Sequence, residues 1–190
     1  MSKWIINLTL MLILMALTAC SSSVSVAYYQ LANTEPNLTA VAKARPIFLQ
    51  PVQVANYLNS KSIVMQMSAV ELVLARQHLW AEPIAEQIQR KLTHTLEALD
   101  QHYVIALKPS PEAIVIILRI DQFHGTKHGY ALLRGRYSLQ QAGLKEQNVN
   151  FSYQLPLQTD GYPALVLTLS QALEQLAQDI LQQLSSIPAN

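Results

Sequence analysis

Two stretches of the chain carry apolar residues at every third or fourth position, and this periodicity constrains the fold more than any other feature of the sequence. One stretch runs from Ala81 to Leu99 and the other from Leu165 to Ile187. Such a stripe gives a helix one apolar face, which has to be buried against another layer. Pro83 suits the first turn of the earlier helix because no backbone N–H is needed there. The pattern predicts two amphipathic helices that pack on a common layer.

The remaining apolar segments have the patterns of β-strands. Residues 113–120 are almost entirely aliphatic, which predicts a strand buried on both faces at the centre of a sheet. Residues 130–140 and 149–155 alternate apolar and polar side chains, which is typical of half-exposed antiparallel strands joined by a polar loop. Further strands are predicted at 47–54, 63–67, 70–74 and 103–107, and the middle two of these form a hairpin. We expect an α+β fold: a mainly antiparallel sheet with two amphipathic helices packed on one face.

Length and composition fit a single globular domain. The chain has 190 residues, of which 51% are hydrophobic and 13% are charged, and this excludes an intrinsically disordered chain. A single cysteine excludes a disulfide framework and a Cys-rich metal site. The formal net charge is +1 and is spread along the chain, so we expect no nucleic-acid partner.

The first twenty residues have the build of a bacterial lipoprotein signal. Lys3 is followed by an apolar run that ends in Leu17-Thr18-Ala19-Cys20. That ending resembles the lipobox, in which the cysteine sulfur is alkylated with diacylglycerol before cleavage. We therefore predict a lipoprotein signal peptide at residues 1–19, a lipidated N-terminus with a short tether at residues 20–23, and one domain at residues 24–190. The alternative is a cysteine that merely follows a generic signal peptide or lies in a core.

Lipidation of Cys20 would attach the mature protein to its membrane permanently, because two or more acyl chains suffice for stable anchoring. Ser21 follows the cysteine. A residue other than Asp at this position resembles the pattern of lipoproteins exported to the outer membrane of Gram-negative bacteria. We expect a lipid-anchored protein of the outer membrane that faces the periplasm.

The sequence contains no common catalytic or nucleotide-binding motif. His124 and His128 are four residues apart and follow Asp121, but neighbouring glycines argue against a helix that would bring the imidazoles together. We expect a loop with two unrelated histidines, no metal site, no cofactor and no enzymatic activity.

Basic residues are concentrated in the middle of the chain. Arg119, Lys127, Arg134 and Arg136 leave an excess of three positive charges over Asp121. A solvated sheet face explains such a cluster, and a site for lipid headgroups or for an acidic partner is the alternative. Arg134 and Arg136 are therefore candidate interface residues.

Two aromatic residues complete the candidate interface. Trp80 lies just before the first predicted helix, where its ring can pack on Ile84 or Ile88. Both a core position and an interface position stay open for it. Tyr57, in the turn predicted at residues 56–61, is the other candidate.

Several short segments, taken in order, resemble the ABC-type transport auxiliary lipoproteins, specifically the PqiC (YmbA) type. The most specific segment is His78-Leu79-Trp80-Ala81-Glu82-Pro83, which opens a helix after a hairpin. The others are residues 28–31, 51–54, 57–58, 63–64 and 119–123. Together they cover essentially the whole mature chain.

The resemblance implies a non-catalytic subunit of a lipid-transport system that supports envelope integrity. Lipoproteins of this kind work with MCE-domain proteins, whose periplasmic tubes carry lipids between the two membranes, and with an associated integral membrane protein. A ring of several copies would match the symmetry of a tube. The alternatives are an activator of a cell-wall synthase or another envelope enzyme, and a lipid-binding lipoprotein that works alone through an apolar pocket.

Overall fold

The computed structural model describes Trp4, residues 25–33 and residues 44–188. The predicted signal peptide apart from Trp4, as well as Cys20 and its tether, lie outside the described residues. In chain order the elements are β1 (Ala27–Tyr29), β2 (Arg45–Leu49), β3 (Gln53–Val54), a 3-10 helix (Asn56–Asn59), β4 (Ser62–Gln66), β5 (Leu72–Trp80), α1 (Ile84–Leu99), β6 (Tyr103–Ile105), β7 (Ile114–Thr126), β8 (Tyr130–Gln140), β9 (Gln147–Pro156) and α2 (Tyr162–Ser185).

Strand β7 is the centre of the sheet, as predicted. One of its edges pairs antiparallel with β8 from Val115 to Gly125, and β8 pairs in turn with β9. Its other edge pairs in succession with β2, β3 and β4, all parallel. Strand β6 extends the sheet beside β2 at the start of β7, whereas β5 and β1 extend it beside β4 at the end of β7. The described strands therefore form one sheet with a branch at each end of β7.

The predicted α+β class is confirmed, with one refinement of the sheet. Its long ladders are antiparallel, but the short ladders that β2, β3 and β4 make with β7 are parallel. These three short strands are separated by turns, and each one pairs with a different stretch of the same edge of β7. Sequence patterning identifies strands and not their partners, so it did not distinguish these directions.

Burial on both faces of β7 was a wrong expectation. Ile114, Ile116, Leu118 and Ile120 are fully buried, whereas Arg119 between the last two is exposed. A central strand can carry aliphatic residues on its outer face when neighbouring side chains cover them partly, and this hides the alternation in the sequence. One face of the sheet is therefore the core face.

Both helices pack on that core face and against each other. Helix α1 begins at Ile84 and not at Ala81, because β5 continues to Trp80 and Pro83 has an extended backbone at the helix N-cap. Helix α2 begins at Tyr162 with a proline in its first turn. The stripes that predicted the helices are buried in the core: Ile84, Ile88, Leu92 and Leu96 from α1, and Leu165, Leu169, Leu173, Leu176, Ile180 and Leu184 from α2.

The predicted hairpin is confirmed as β4 and β5, but the predicted loop around His124 is wrong. Strand β7 continues to Thr126 and pairs with β8 as far as Gly125 and Ala131. His124 is therefore a strand residue, and His128 lies in the turn that follows. The glycine at position 125 is compatible with the strand because it leaves room for Met65: a Cβ there would lie 2.5 Å from the Met65 sulfur.

Candidate docking surface

The face of the sheet opposite the helices carries three of the four predicted interface residues. We call it the open face and define it by Tyr57, Arg119, Arg134 and Arg136, whose side chains are exposed or half-exposed. Arg134 and Arg136 alternate with residues that point into the core, and both are exposed. The ring centroid of Tyr57 lies 6.3 Å from that of His124. Sequence alternation on β8 was enough to place the two arginines here.

A bulge in β7 decides which residues of that strand reach the open face. The register with β8 shifts between Ile120 and Gln122, so one residue is added. Before the bulge the even-numbered residues of β7 face the core, and after the bulge the odd-numbered Phe123 faces it. The ring centroid of Phe123 lies 6.1 Å from that of Trp80. His124 is consequently turned to the open face. The sequence contains no marker of this bulge.

Trp80 is the one predicted interface residue that lies elsewhere. Its side chain is 3% exposed and belongs to the hydrophobic core, which matches the core interpretation of this tryptophan. Because it presents almost no surface, we leave it out of the docking surface.

Tyr57 is half-buried at the edge of the open face. Its hydroxyl donates a hydrogen bond to the backbone carbonyl of Asp121, over 3.1 Å. Burial raises the pKa of Tyr57 to about 12. The hydroxyl therefore stays protonated at neutral pH and serves as a donor.

The open face is basic. Arg119 is next to Arg136 across the β7–β8 ladder, and its Nε donates to Asp121 over 3.2 Å. Both members of this ion pair are about half exposed, so it contributes little to stability. Arg136 is exposed, and so is Arg134, two residues before it on the same face of β8. This distribution favours an acidic partner surface or the phosphates of a lipid headgroup.

A groove of about 570 Å³ lies between the open face and the loop that joins β4 to β5. Three basic side chains line it: Lys127, His128 and Arg134. The rest of the lining is formed by Gln66, Met67, Ser68, Ala69, Gln122, Thr126, Tyr130, Leu132 and Gln154. The sequence separates these segments by more than fifty residues, and only the parallel pairing of β4 with β7 brings them together.

Two buried polar atoms near this groove have no hydrogen-bond partner within the described residues: Gln122 Oε1 and His124 Nε2. The Nδ1 of His124 donates to the Gly125 carbonyl over 3.1 Å. Burial lowers the pKa of His124, and the nearby charge of Arg134 lowers it further. The imidazole is therefore neutral at neutral pH and packs as an uncharged part of the open face.

His124 and His128 do not converge, since the first is buried in β7 and the second is exposed in the turn. Across Trp4 and residues 25–33 and 44–188, no three His, Cys, Asp or Glu side chains are close enough together to hold a metal ion.

The loop between β4 and β5 and the start of β5 expose aliphatic side chains that sequence reasoning missed. We call residues Met67–Leu74 the hairpin tip. The exposed fractions are 37% for Met67, 96% for Val70, 38% for Leu72, 45% for Val73 and 44% for Leu74. The available signal was the run Leu72-Val73-Leu74, which has no polar alternation although its side chains point to both faces of β5 and remain exposed.

A second, more apolar groove of about 480 Å³ lies at the opposite end of the sheet, between α1 and the segment after β2. It is lined by Phe48, Leu49, Pro51, Val52, Ala85, Glu86, Gln89, Arg90 and Leu107. Leu107 is 95% exposed.

Among the residues that the structure describes, neither helix is both long and apolar enough to cross a membrane. Helix α2 is the longer one, with 24 residues, and its apolar stripe is used in the core.

Comparison with known proteins places the chain among transport lipoproteins. It is 28% identical over 194 residues to the intermembrane transport lipoprotein PqiC of Escherichia coli, an alignment that covers 99% of this chain and all of that protein. The PqiC of Shigella flexneri matches equally well.

Two solved structures have the same fold. An uncharacterised protein with 27% sequence identity superposes with a TM-score of 0.75, over 84% of this chain and 99% of its own. A Xanthomonas campestris protein with 16% identity has a TM-score of 0.67, over 85% of this chain and all of its own, and this likeness shows the fold alone. The family model described as the ABC-type transport auxiliary lipoprotein component matches residues 29–181, so the chain belongs to this family.

Proposed function

We propose that the protein is a non-catalytic, lipid-anchored subunit of an intermembrane lipid-transport system, in which it docks an MCE-domain periplasmic protein at the outer membrane. The similarity to PqiC over essentially the full length of both chains carries this proposal. A transport subunit of this kind has to be held at one membrane and has to present a surface to a partner. The proposed anchor and the open face supply these two features.

The anchor is Cys20. The described part of the chain contains no membrane-spanning helix, so the acyl chains on this cysteine would supply the attachment. Ser21 would then direct the lipoprotein to the outer membrane, since it stands where Asp retains such proteins at the inner one.

Replacing Cys20 by serine tests the anchor. We expect Cys20→Ser to abolish incorporation of labelled palmitate and to remove the protein from the membrane fraction, because the sulfur is the acylation site. The matched control is Ser22→Ala, which should be labelled and fractionated like the wild type. Equal labelling of Cys20→Ser and the wild type would refute the assignment.

The open face is the proposed contact with the MCE-domain protein. It is free of the helices, it is basic, and it includes Tyr57, Arg134 and Arg136. Salt bridges to an acidic partner surface would set the orientation and the association rate of such a complex. The partners in this proposal are the MCE-domain protein and the integral membrane protein associated with it.

Charge reversal tests this contact. The double variant Arg134→Glu, Arg136→Glu should lose co-elution with the MCE-domain ectodomain, or weaken its affinity at least tenfold. The control is Lys108→Glu, Lys145→Glu, which changes the net charge equally at exposed loop residues away from the open face. Equal binding by both variants would remove the open face from the complex.

Light scattering on the co-eluting complex tests the proposed ring of copies, since a mass equal to one copy per partner would exclude it. If the wild type never binds the MCE-domain protein and instead stimulates a cell-wall synthase, the activator function replaces this proposal.

A further inference from the structure

We propose that the hairpin tip lies against the lipid surface of the membrane that holds the anchor, with its aliphatic side chains between the lipid headgroups. The proposal rests on the proposed lipidation of Cys20 and goes beyond it, because it gives the domain an orientation and assigns a second, non-covalent membrane contact.

The chemistry of the tip suits a lipid surface better than water. Its five large aliphatic side chains are 37% to 96% exposed and follow one another closely. Glu71 is the only charged residue between Met67 and Leu74. Exposed apolar side chains concentrated at one loop of a domain often mark a contact with a membrane or a partner.

The direction of the chain selects the membrane among these occupants. Strand β1 runs parallel to β5, with Ala27 beside His78 and Tyr29 beside Trp80. The chain therefore enters β1 from the end of the sheet at which β5 begins, and that is the end of the hairpin tip.

The lengths agree with this direction. Cys20 precedes Ala27 by seven residues, which span at most about 25 Å when extended. Val70 precedes His78, the partner of Ala27, by eight residues, which span less than the ~26 Å of a regular strand because β5 is irregular between Leu74 and Leu79. The acylated cysteine and the hairpin tip can thus reach the same plane on the same side of the domain.

Basic side chains lie beside the tip on one side. The backbone N–H of Lys127 donates to the carbonyl of Gln66 over 3.0 Å, which places the β7–β8 turn with Lys127 and His128 beside the tip. A Lys or Arg side chain near an anionic leaflet is attracted to the lipid phosphates. Apolar side chains flanked by cations match the order of acyl chains and phosphates in a lipid surface.

A matched residue exists at the other end of the sheet. Leu107 is 95% exposed, against 96% for Val70. Its neighbour Ala106 donates to the carbonyl of Ile47, which pairs with Ile114 at the start of β7. The start and end of β7 are twelve residues apart, or about 40 Å. Leu107 should therefore stay in water when Val70 is in lipid.

The test uses the full lipoprotein, made in a Gram-negative host and reconstituted into vesicles of phosphatidylethanolamine and phosphatidylglycerol. Val70→Cys and Leu107→Cys are each labelled with an environment-sensitive fluorophore, and brominated lipids serve as quenchers. Cys20 is the only native cysteine, and lipidation blocks its thiol, so each variant has one reactive site.

We expect blue-shifted emission and several-fold stronger quenching at position 70 than at position 107. Equal quenching at the two positions, whether strong or absent, would overturn the proposal. If addition of the MCE-domain ectodomain to these vesicles abolishes the quenching at position 70, that protein covers the tip and the proposal is also overturned.

The wild-type protein separates this outcome from a failure of the proposed function. If it floats with the vesicles and does not react with the fluorophore, the anchor holds and only the orientation is in question. If its cysteine is labelled and it does not float, the anchor is wrong, and the orientation that depends on it is refuted as well.

Discussion

Truncation of Leu173 measures how much of the fold depends on α2. Leu173 is fully buried in the core, whereas Leu167 on the same helix is 56% exposed. Leu173→Ala removes three carbon atoms from the core, worth about 2.4 kcal/mol of transfer free energy at about 0.8 kcal/mol per carbon. The cavity left behind raises the loss to about 3–5 kcal/mol. Leu167→Ala creates no cavity and should cost less than about 1 kcal/mol.

Urea unfolding followed by far-UV circular dichroism compares the free energies of unfolding of the two variants with that of the wild type, using the chain from Ser21 onward. In a thermal scan, a loss of about 3–5 kcal/mol corresponds to a Tm lower by about 6–20 °C for a domain of this size. Equal effects of Leu173→Ala and Leu167→Ala would refute the assignment of α2 to the core. Leu173→Asp should prevent folding, because an unpaired buried charge costs as much as the stability of a typical domain.

Three further variants test the sheet and the pH dependence of its stability. Gly135→Ala should lower the free energy of unfolding by about 3 kcal/mol or more, because the new Cβ would lie 2.1 Å from the carbonyl oxygen of Arg119 in the neighbouring strand. Gly125→Ala should cost less in the same urea titration, since there the new methyl meets flexible side chains; the reverse order would contradict the β7–β8 register. Burial lowers the pKa of His124 in the folded state, so on acidification the unfolded chain binds a proton at this imidazole before the folded chain does. The free energy of unfolding is therefore unaffected by His124 well above the ordinary histidine pKa of 6.5, and it decreases as the pH falls below that value. His124→Gln should therefore reduce the loss of stability between pH 7.5 and pH 5.5 by up to about 1.4 kcal/mol, and identical losses in the two proteins would show that the imidazole is not buried in its neutral form.

The residues of the proposed docking surface that the sequence predicted are those governed by local periodicity. Alternation along β8 put Arg134 and Arg136 on the face away from the core, and the structure has them there. Tyr57 joins them through the bond from its hydroxyl to Asp121, a contact between residues 64 positions apart. No pattern within a short window could have indicated that contact, since it depends on where β3 meets β7.

The hairpin tip shows the converse limit. Hydrophobic residues in a strand pattern predict burial, and Val70 and Leu72 were interpreted simply as strand residues. Burial depends on whether another element covers them, and the helices cover only the core face of the sheet. An aliphatic run that remains exposed looks the same in the sequence as one that is buried.

The sequence by itself determined the elements whose side chains repeat with a fixed period: the two amphipathic helices, the long alternating strands and the central position of β7. The prediction of lipidation at Cys20 also comes from the sequence alone, because the lipobox is a short linear motif whose residues are adjacent in the chain. Tertiary structure alone decided the parallel ladders of β2, β3 and β4, the bulge before Gln122 and the exposure of the hairpin tip. These features depend on hydrogen bonds and packing between residues far apart in the chain. Such contacts contribute free energy only when the sheet has assembled, so no short segment of the sequence indicates them.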